Sequence, residues 1–163
     1  MTVSNVAQKQ ATTSTKKQPK RDYVYAVGRQ KEAVARVRLY AHVKDNQKYE
    51  ESEVKKEQIL VNGMPVEHYF VGPIAKKAYM QPFELTGTFS KYAITIKVAG
   101  GGNNGQLDAS VKGIARVLAK IDPIKFRAIM KTNGLLTRDA RVRERRKVGT
   151  GGKARRQKSS PKR

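Results

Sequence analysis

Apolar residues recur with two different periods along the middle of this chain, and neither period reaches its polar, basic ends. Ala33, Ala35, Val37 and Leu39 alternate with Val34, Arg36, Arg38 and Tyr40. That two-residue period predicts a strand with one packed face and one face presenting arginines beside a tyrosine. The run DYVYAV (residues 22–27) is rich in β-formers and predicts a preceding strand, with Gly28 expected to break it. Tyr92, Ile94, Ile96 and Val98 alternate in the same way. Residues 59–61 predict a short strand ended by the turn pair Asn62 and Gly63. Residues 44–58 are charged and poor in apolar side chains, so a loop is expected there, with room for a short helical turn.

The helical period is clearest over residues 106–121, where Leu107, Val111, Ile114, Leu118 and Ile121 form one apolar stripe. Lys112, Arg116 and Lys120 lie four apart and make a basic ridge on another side. PIAKKAYMQPFEL, from Pro73, allows a helix that Pro82 should stop or bend. A shorter helix is expected from Pro123 to about Asn133 and Gly134. Together these elements predict an α/β (α+β) domain with roughly four strands and two or three helices. The expected organisation is a disordered basic arm (residues 1–21), a globular domain (22–134) and an extended basic tail (135–163).

Charge sharpens that division. The formal net charge is +22. Residues 1–21 hold five bases and no acid, and residues 138–163 hold twelve bases against Asp139 and Glu144, which leaves +7 for the middle. Segments so charged repel themselves and stay extended until a polyanion neutralises them. Nucleic acid is therefore the first partner to consider, with an anionic membrane surface as the competitor.

Several function classes lack their raw material. With no cysteine there is no disulfide framework, thiol nucleophile or thiolate metal site. No stretch approaches the roughly 18 apolar residues of a membrane span, and the first residues lack the apolar run of a secretory signal. A cytoplasmic protein with no membrane partner is expected. His42 and His68 sit in no metal-binding spacing, and no carboxylate pair stands out from surface charge. Neither an enzyme, a metal site, a cofactor nor a small-molecule substrate is expected.

GGGNNG (residues 100–105) matches GxGxxG between a predicted strand and a predicted helix. A dinucleotide site also needs a second strand ending in an acid about 20 residues on, and the candidate, Asp122, follows a helix and precedes Pro123. Gln106 and Leu107 after Gly105 exclude a P-loop. Gly100, Gly101, Gly102 and Gly105 are read as a structural glycine loop: either a tight turn alone, or one whose exposed amides also meet an RNA phosphate.

The arginine pair Arg36 and Arg38 fits an RNA-facing sheet or an ordinary solvent face, and the ridge Lys112, Arg116 and Lys120 fits a phosphate-binding or a solvated helix face. The tail is less ambiguous. Its arginines come at almost every spacing, which suits an extended chain touching phosphates on several sides. A DNA-compacting protein would share the charge, but nothing supplies a dimer zipper or a minor-groove wedge.

Four stretches carry a family resemblance: GRQKEAVARV (28–37), VNGMPVEHYF (61–70), GGGNNGQLDASVKGIARVL (100–118) and GLLTRDARVRERRKVG (134–149) with KAR (153–155). In this order they resemble the bacterial-type family of the ninth protein of the small ribosomal subunit. The resemblance implies a compact domain on the ribosomal head, a mixed four-stranded sheet packed with helices, bound to small-subunit rRNA beside neighbouring ribosomal proteins. The rRNA-binding candidates are Arg29, Lys31, Arg36, Arg38, Lys112, Arg116 and Lys120 in the domain. In the tail they are Arg138, Arg141, Arg143, Arg145, Arg146, Lys147, Lys153, Arg155, Arg156 and Lys158. The resemblance further implies that the tail threads through rRNA to the peptidyl-site tRNA, where Lys162 and Arg163 would touch the anticodon stem-loop backbone. Ser160-Pro161-Lys162-Arg163 stands where an aromatic-Ser-Lys-Arg ending is usual, so the aromatic ring is missing. Fully extended, the 26 residues from Arg138 reach at most about 85–95 Å.

Overall fold

The computed structural model describes residues 22–42, 48–49, 52–53 and 58–143. Strands β1 (Val24–Gln30) and β2 (Ala33–Tyr40) form an antiparallel hairpin joined by Lys31 and Glu32. Within the charged stretch expected to be a loop, a two-residue antiparallel pairing joins β3 (Lys48–Tyr49) to β4 (Ser52–Glu53), and most of the rest of that stretch lies outside the described residues. Then come β5 (Ile59–Val61), β6 (Met64–Pro65), the single-turn helix α1 (Val66–Tyr69), α2 (Pro73–Thr86), β7 (Ala93–Ala99), α3 (Asn103–Ile121) and α4 (Pro123–Thr132). The main sheet runs β1-β2-β7-β5-β6, antiparallel except where β5 lies parallel to β7. It is the expected mixed sheet with a fifth, two-residue strand, and α1 is a helix that the sequence pattern did not suggest.

Alternation decides the layers. Ala26, Ala35, Val37, Leu39, Ile94, Ile96 and Val98 share the face that α3 covers with Val111, Ile114, Val117 and Leu118, all of them buried. Burying side chains such as Ile114 or Leu118 stabilises the fold by about 1.5–3 kcal/mol each. On the opposite face a second, smaller cluster joins Tyr40, Leu60 and Ala93, with Tyr23 against it. That cluster buries Tyr40, at the end of the face expected to be polar.

Two sequence readings, Gly28 as a breaker and the stopping alternative at Pro82, fail for tertiary reasons. Gly28 does not end β1; it pairs with Ala35 in mid-strand. A Cβ there would lie 1.8 Å from the Ala109 carbonyl oxygen and 2.6 Å from the Gly113 nitrogen. Glycine at this position therefore lets α3 approach the sheet backbone to backbone. Nor does Pro82 stop α2, which continues to Thr86 with the proline ring buried in the core. The missing proline N–H costs one helical hydrogen bond, and the Thr86 hydroxyl donates to the Pro82 carbonyl at 2.9 Å. The true stop is Gly87, left-handed at φ 60°, with Thr88 N–H donating to Phe83 O and Gly87 N–H to Glu84 O. That is a Schellman closure, and α4 ends in the same way at Gly134.

The turn at Asn62 and Gly63 forms as expected, with both residues at positive φ. Asn62 does more than turn. Its side-chain oxygen accepts from Val98 N–H at 2.8 Å and its amide donates to Val98 O at 3.2 Å, so the side chain prolongs the β5–β7 ladder by one step. Among the described residues no helix is long and apolar enough to cross a membrane.

Candidate nucleic-acid interface

Strand register sets out the first basic surface. Arg36 on β2 pairs with Val27 on one side and Lys97 on the other, and Arg38 pairs with Tyr25 and Thr95. Arg29 pairs with Val34 one row along. Because paired residues share a face, Arg29, Arg36, Arg38 and Lys97 project from the side of the sheet opposite α3. The outward positions of β1, β2 and β7 hold no Asp or Glu. Arg29, Arg36 and Lys97 are exposed, whereas Arg38 is half-buried with its guanidinium 5.0 Å from the Tyr23 ring centroid. Lys97 was missed from sequence, although the alternation of β7 already placed it opposite Ile96 and Val98.

The helical ridge goes elsewhere. Lys120 Nζ donates to Tyr25 O at 2.8 Å and lies 5.1 Å from the Tyr25 ring centroid; Arg116 donates to Val27 O at 2.8 Å; Lys112 donates to the Gln30 side-chain oxygen. β1 is the outermost strand, so on this edge no neighbouring strand donates to its carbonyls. The geometry has a simple cause. Four residues of helix rise about 6 Å and two residues of strand about 6.6–6.8 Å, so cations four apart on α3 meet carbonyls two apart on an antiparallel β1. At Lys112 the partner becomes the side chain of Gln30, which reaches toward the helix from the packed face. The ridge thus covers a sheet edge and is not merely solvated. Arg127, from α4, joins Arg116 and Lys120 around a recess of about 410 Å³. No sequence pattern signals it, because its position depends on how α4 folds back on α3.

The glycine loop packs over the β1–β2 turn. Gly100 and Gly101 have φ of 75° and 64°, and a Cβ on Gly100 would meet the Glu32 carbonyl at 2.7 Å. The tight-turn reading therefore has a direct physical basis. Among the described residues no strand follows α3, and the parallel neighbour of β7 is β5, which precedes it in the chain. A concavity of about 680 Å³ is lined by this loop, Lys31, Glu32, Asp108, Val142 and Arg143.

Beyond α4, Leu135 and Leu136 pack against the core. Arg141 makes a two-pronged contact with Asp139, Nε to Oδ1 at 2.9 Å and Nη2 to Oδ2 at 2.7 Å, and its backbone N–H donates to Oδ1 at 3.0 Å. These Arg141 hydrogen bonds hold the Asp139 carboxyl well below the usual carboxylate range, with a smaller contribution from the Gln30 amide. Arg138 and Arg143 are exposed. Arg145, Arg146, Lys147, Lys153, Arg155, Arg156, Lys158, Lys162 and Arg163 lie outside the described residues. Among the described residues there is no cluster of three potential metal-binding side chains.

With this geometry in view, the chain was compared with known proteins. The model of the family "Ribosomal protein S9/S16" matches residues 28–163. Over 132 residues the chain is 43% identical to the small ribosomal subunit protein uS9 of Maridesulfovibrio salexigens, covering 81% of this chain and 91% of that protein. It is 40% identical over 128 residues to uS9 of Lawsonia intracellularis, covering 78% and 88%. Against uS9 of Rickettsia rickettsii it is 42% identical over 125 residues, covering 77% and 70%.

Proposed function

The chain belongs to the ribosomal protein S9/S16 family, a structural constituent of the small ribosomal subunit that serves translation as an RNA-binding protein, and from that premise we propose how it meets RNA. The acid-free sheet face of Arg29, Arg36, Arg38 and Lys97 carries the reading. It binds rRNA phosphates on a rigid surface, with Lys31 at the hairpin turn and Arg138 and Arg143 at the exit of the tail. Arg116 and Lys120 each spend one donor on a strand carbonyl, and a guanidinium with five N–H groups or an ammonium with three keeps others for phosphate. The basic residues of the tail bind further rRNA as an extended chain, and Lys162 and Arg163 touch the backbone of the peptidyl-site tRNA. Backbone contacts suit a site that must accept every tRNA, because they carry no base information. The protein works in cytoplasmic ribosomes beside neighbouring head proteins, and its role is binding and not catalysis.

Sucrose-gradient sedimentation of a lysate tests the rRNA assignment: co-migration with small subunits should survive DNase and be lost with RNase. The reverse sensitivity would indicate a DNA-compacting protein. Deleting Lys162 and Arg163 should leave the protein in the subunit while tRNA leaves the peptidyl site faster. Unchanged tRNA dissociation would refute the role of the last two residues.

A further inference from the structure

The segment after α4 advances along the outer side of β1. Leu136 lies at the recess formed with Ala26 and Val27. Three residues on, Asp139 sits beside Gln30. Val142 and Arg143 then line the concavity with Lys31, Glu32 and the glycine loop. Successive residues of the segment thus meet successive residues of β1 and its turn. The lower end of the segment is held by apolar packing of Leu135 and Leu136 and by the Schellman closure that precedes them.

The upper end is held differently. Asp139 is only 26% exposed although it lies in an irregular segment, and its partner Arg141 is 89% exposed. The carboxylate is therefore the seated group, and the guanidinium folds back onto it. Gln30, against which it sits, is 7% exposed and is itself fixed by Lys112 on α3. Asp139 bonds both the side chain and the backbone N–H of Arg141, so it fixes the direction of the chain as well as its position.

We propose that residues 135–143 are a strap laid along the edge of β1, and that Asp139 is the positioning residue that aims the basic tail outward from the glycine-loop corner. Arg141 then has its guanidinium turned onto Asp139, whereas Arg143, at the end of the strap, is exposed. This assignment concerns the free protein and stands apart from which RNA the tail meets.

The chain has no cysteine, so Val142→Cys in the full-length protein gives a single attachment point for a nitroxide. The label should quench the backbone amide NMR signals of Gly101, Gly102 and Asn103. Asp139→Asn should restore those signals, Asp139→Glu should keep them quenched, and Arg141→Gln should behave like the asparagine variant. Rescue by glutamate separates a positioning carboxylate from mere packing. If Asp139→Asn does not give a folded spectrum, Arg141→Gln decides alone. Quenching that persists in folded Asp139→Asn or Arg141→Gln, or that is absent from the parent, overturns the proposal.

Discussion

Replacing Gly28 by alanine adds one methyl group and should cost as much as a core truncation. Its Cβ would fall 1.8 Å from Ala109 O, 2.6 Å from Gly113 N and 3.0 Å from Ala109 C. All three are backbone atoms of α3, so no side-chain rotation relieves the clash. The helix must move from β1 by more than an ångström. Gly113 prevents an easy slide, because its own position is already closed by Val37 Cγ2, 2.5 Å from where a Cβ would stand. A gap of about 0.5–1 Å forfeits roughly a quarter to a half of each dispersion contact. The seam holds Val37, Ile114, Val117 and Leu118, all fully buried. Overpacking ordinarily costs about 1–3 kcal/mol, and opening a whole helix-on-sheet seam belongs at or above the top of that range, about 3 kcal/mol or more. With an unfolding entropy of about 2.1 cal/mol/K per residue over the domain, that corresponds to a fall in Tm of about 12 °C. Gly102→Ala is the matched control: its φ is −108° and nothing lies within 4 Å of a Cβ. Thermal unfolding of both variants, followed by far-ultraviolet circular dichroism, makes the comparison. A Gly28→Ala loss no larger than that of Gly102→Ala would refute the close-approach argument.

Three further outcomes are expected. The Tyr79 hydroxyl is buried without a hydrogen-bond partner, and burial pushes its pKa up. Tyr79→Phe removes that desolvated group and should stabilise the protein by about 1 kcal/mol in urea unfolding; a loss of similar size would reveal a hidden partner. Arg116→Met should lower stability by about 1 kcal/mol as well as weaken rRNA binding, since it uncovers Val27 O, whereas Arg36→Met should weaken binding with melting unchanged. Equal effects on melting would mean that the ridge does not cover the edge. The third concerns acid. The folded pKa of Asp139 is depressed, so its contribution is complete above the unfolded aspartate value of about 3.9 and is lost only as pH falls through the lower folded value. NMR titration of its carboxyl carbon should show no inflection between pH 7 and about pH 3.5, and a midpoint near 3.9 would show the Arg141 clamp to be absent in solution.

What could be read from sequence follows from where the information lies. β2, β7 and α3 were legible because each buries one face, and burial writes a period of two or of 3.6 residues into the chain itself. The positions that misled are those whose neighbours are distant in sequence. Gly28 looks like a breaker by local propensity and is in fact fixed by α3, some 80 residues later. Pro82 looks like a stop, while the core tolerates it and Gly87 closes the helix. The real β1–β2 turn, Lys31 and Glu32, contains none of the usual turn residues. In the candidate interface, Arg36 and Arg38 were found because strand parity gives side-chain direction without any tertiary knowledge. The four-residue spacing of Lys112, Arg116 and Lys120 was equally visible, but not its destination, which requires knowing that α3 lies antiparallel on an edge strand.

That destination alters what the positive charge of the domain means. An uncovered edge strand offers its carbonyls and amides to any passing chain, and proteins blunt such edges with lysines, helices or loops. Here one ridge on α3 and one strap after α4 share the task, and both bring cations to the edge. Long basic side chains lose up to about 2 kcal/mol of rotamer freedom when they are fixed. For Arg116 and Lys120 that loss is met during folding, through the bonds to Val27 and Tyr25. A phosphate arriving at the recess between them and Arg127 would find donors of Arg116 and Lys120 already held in place, whereas one arriving at Arg36 would have to order an exposed side chain itself. Stability and the proposed phosphate binding would therefore be coupled along the edge of the sheet and separable on its other face.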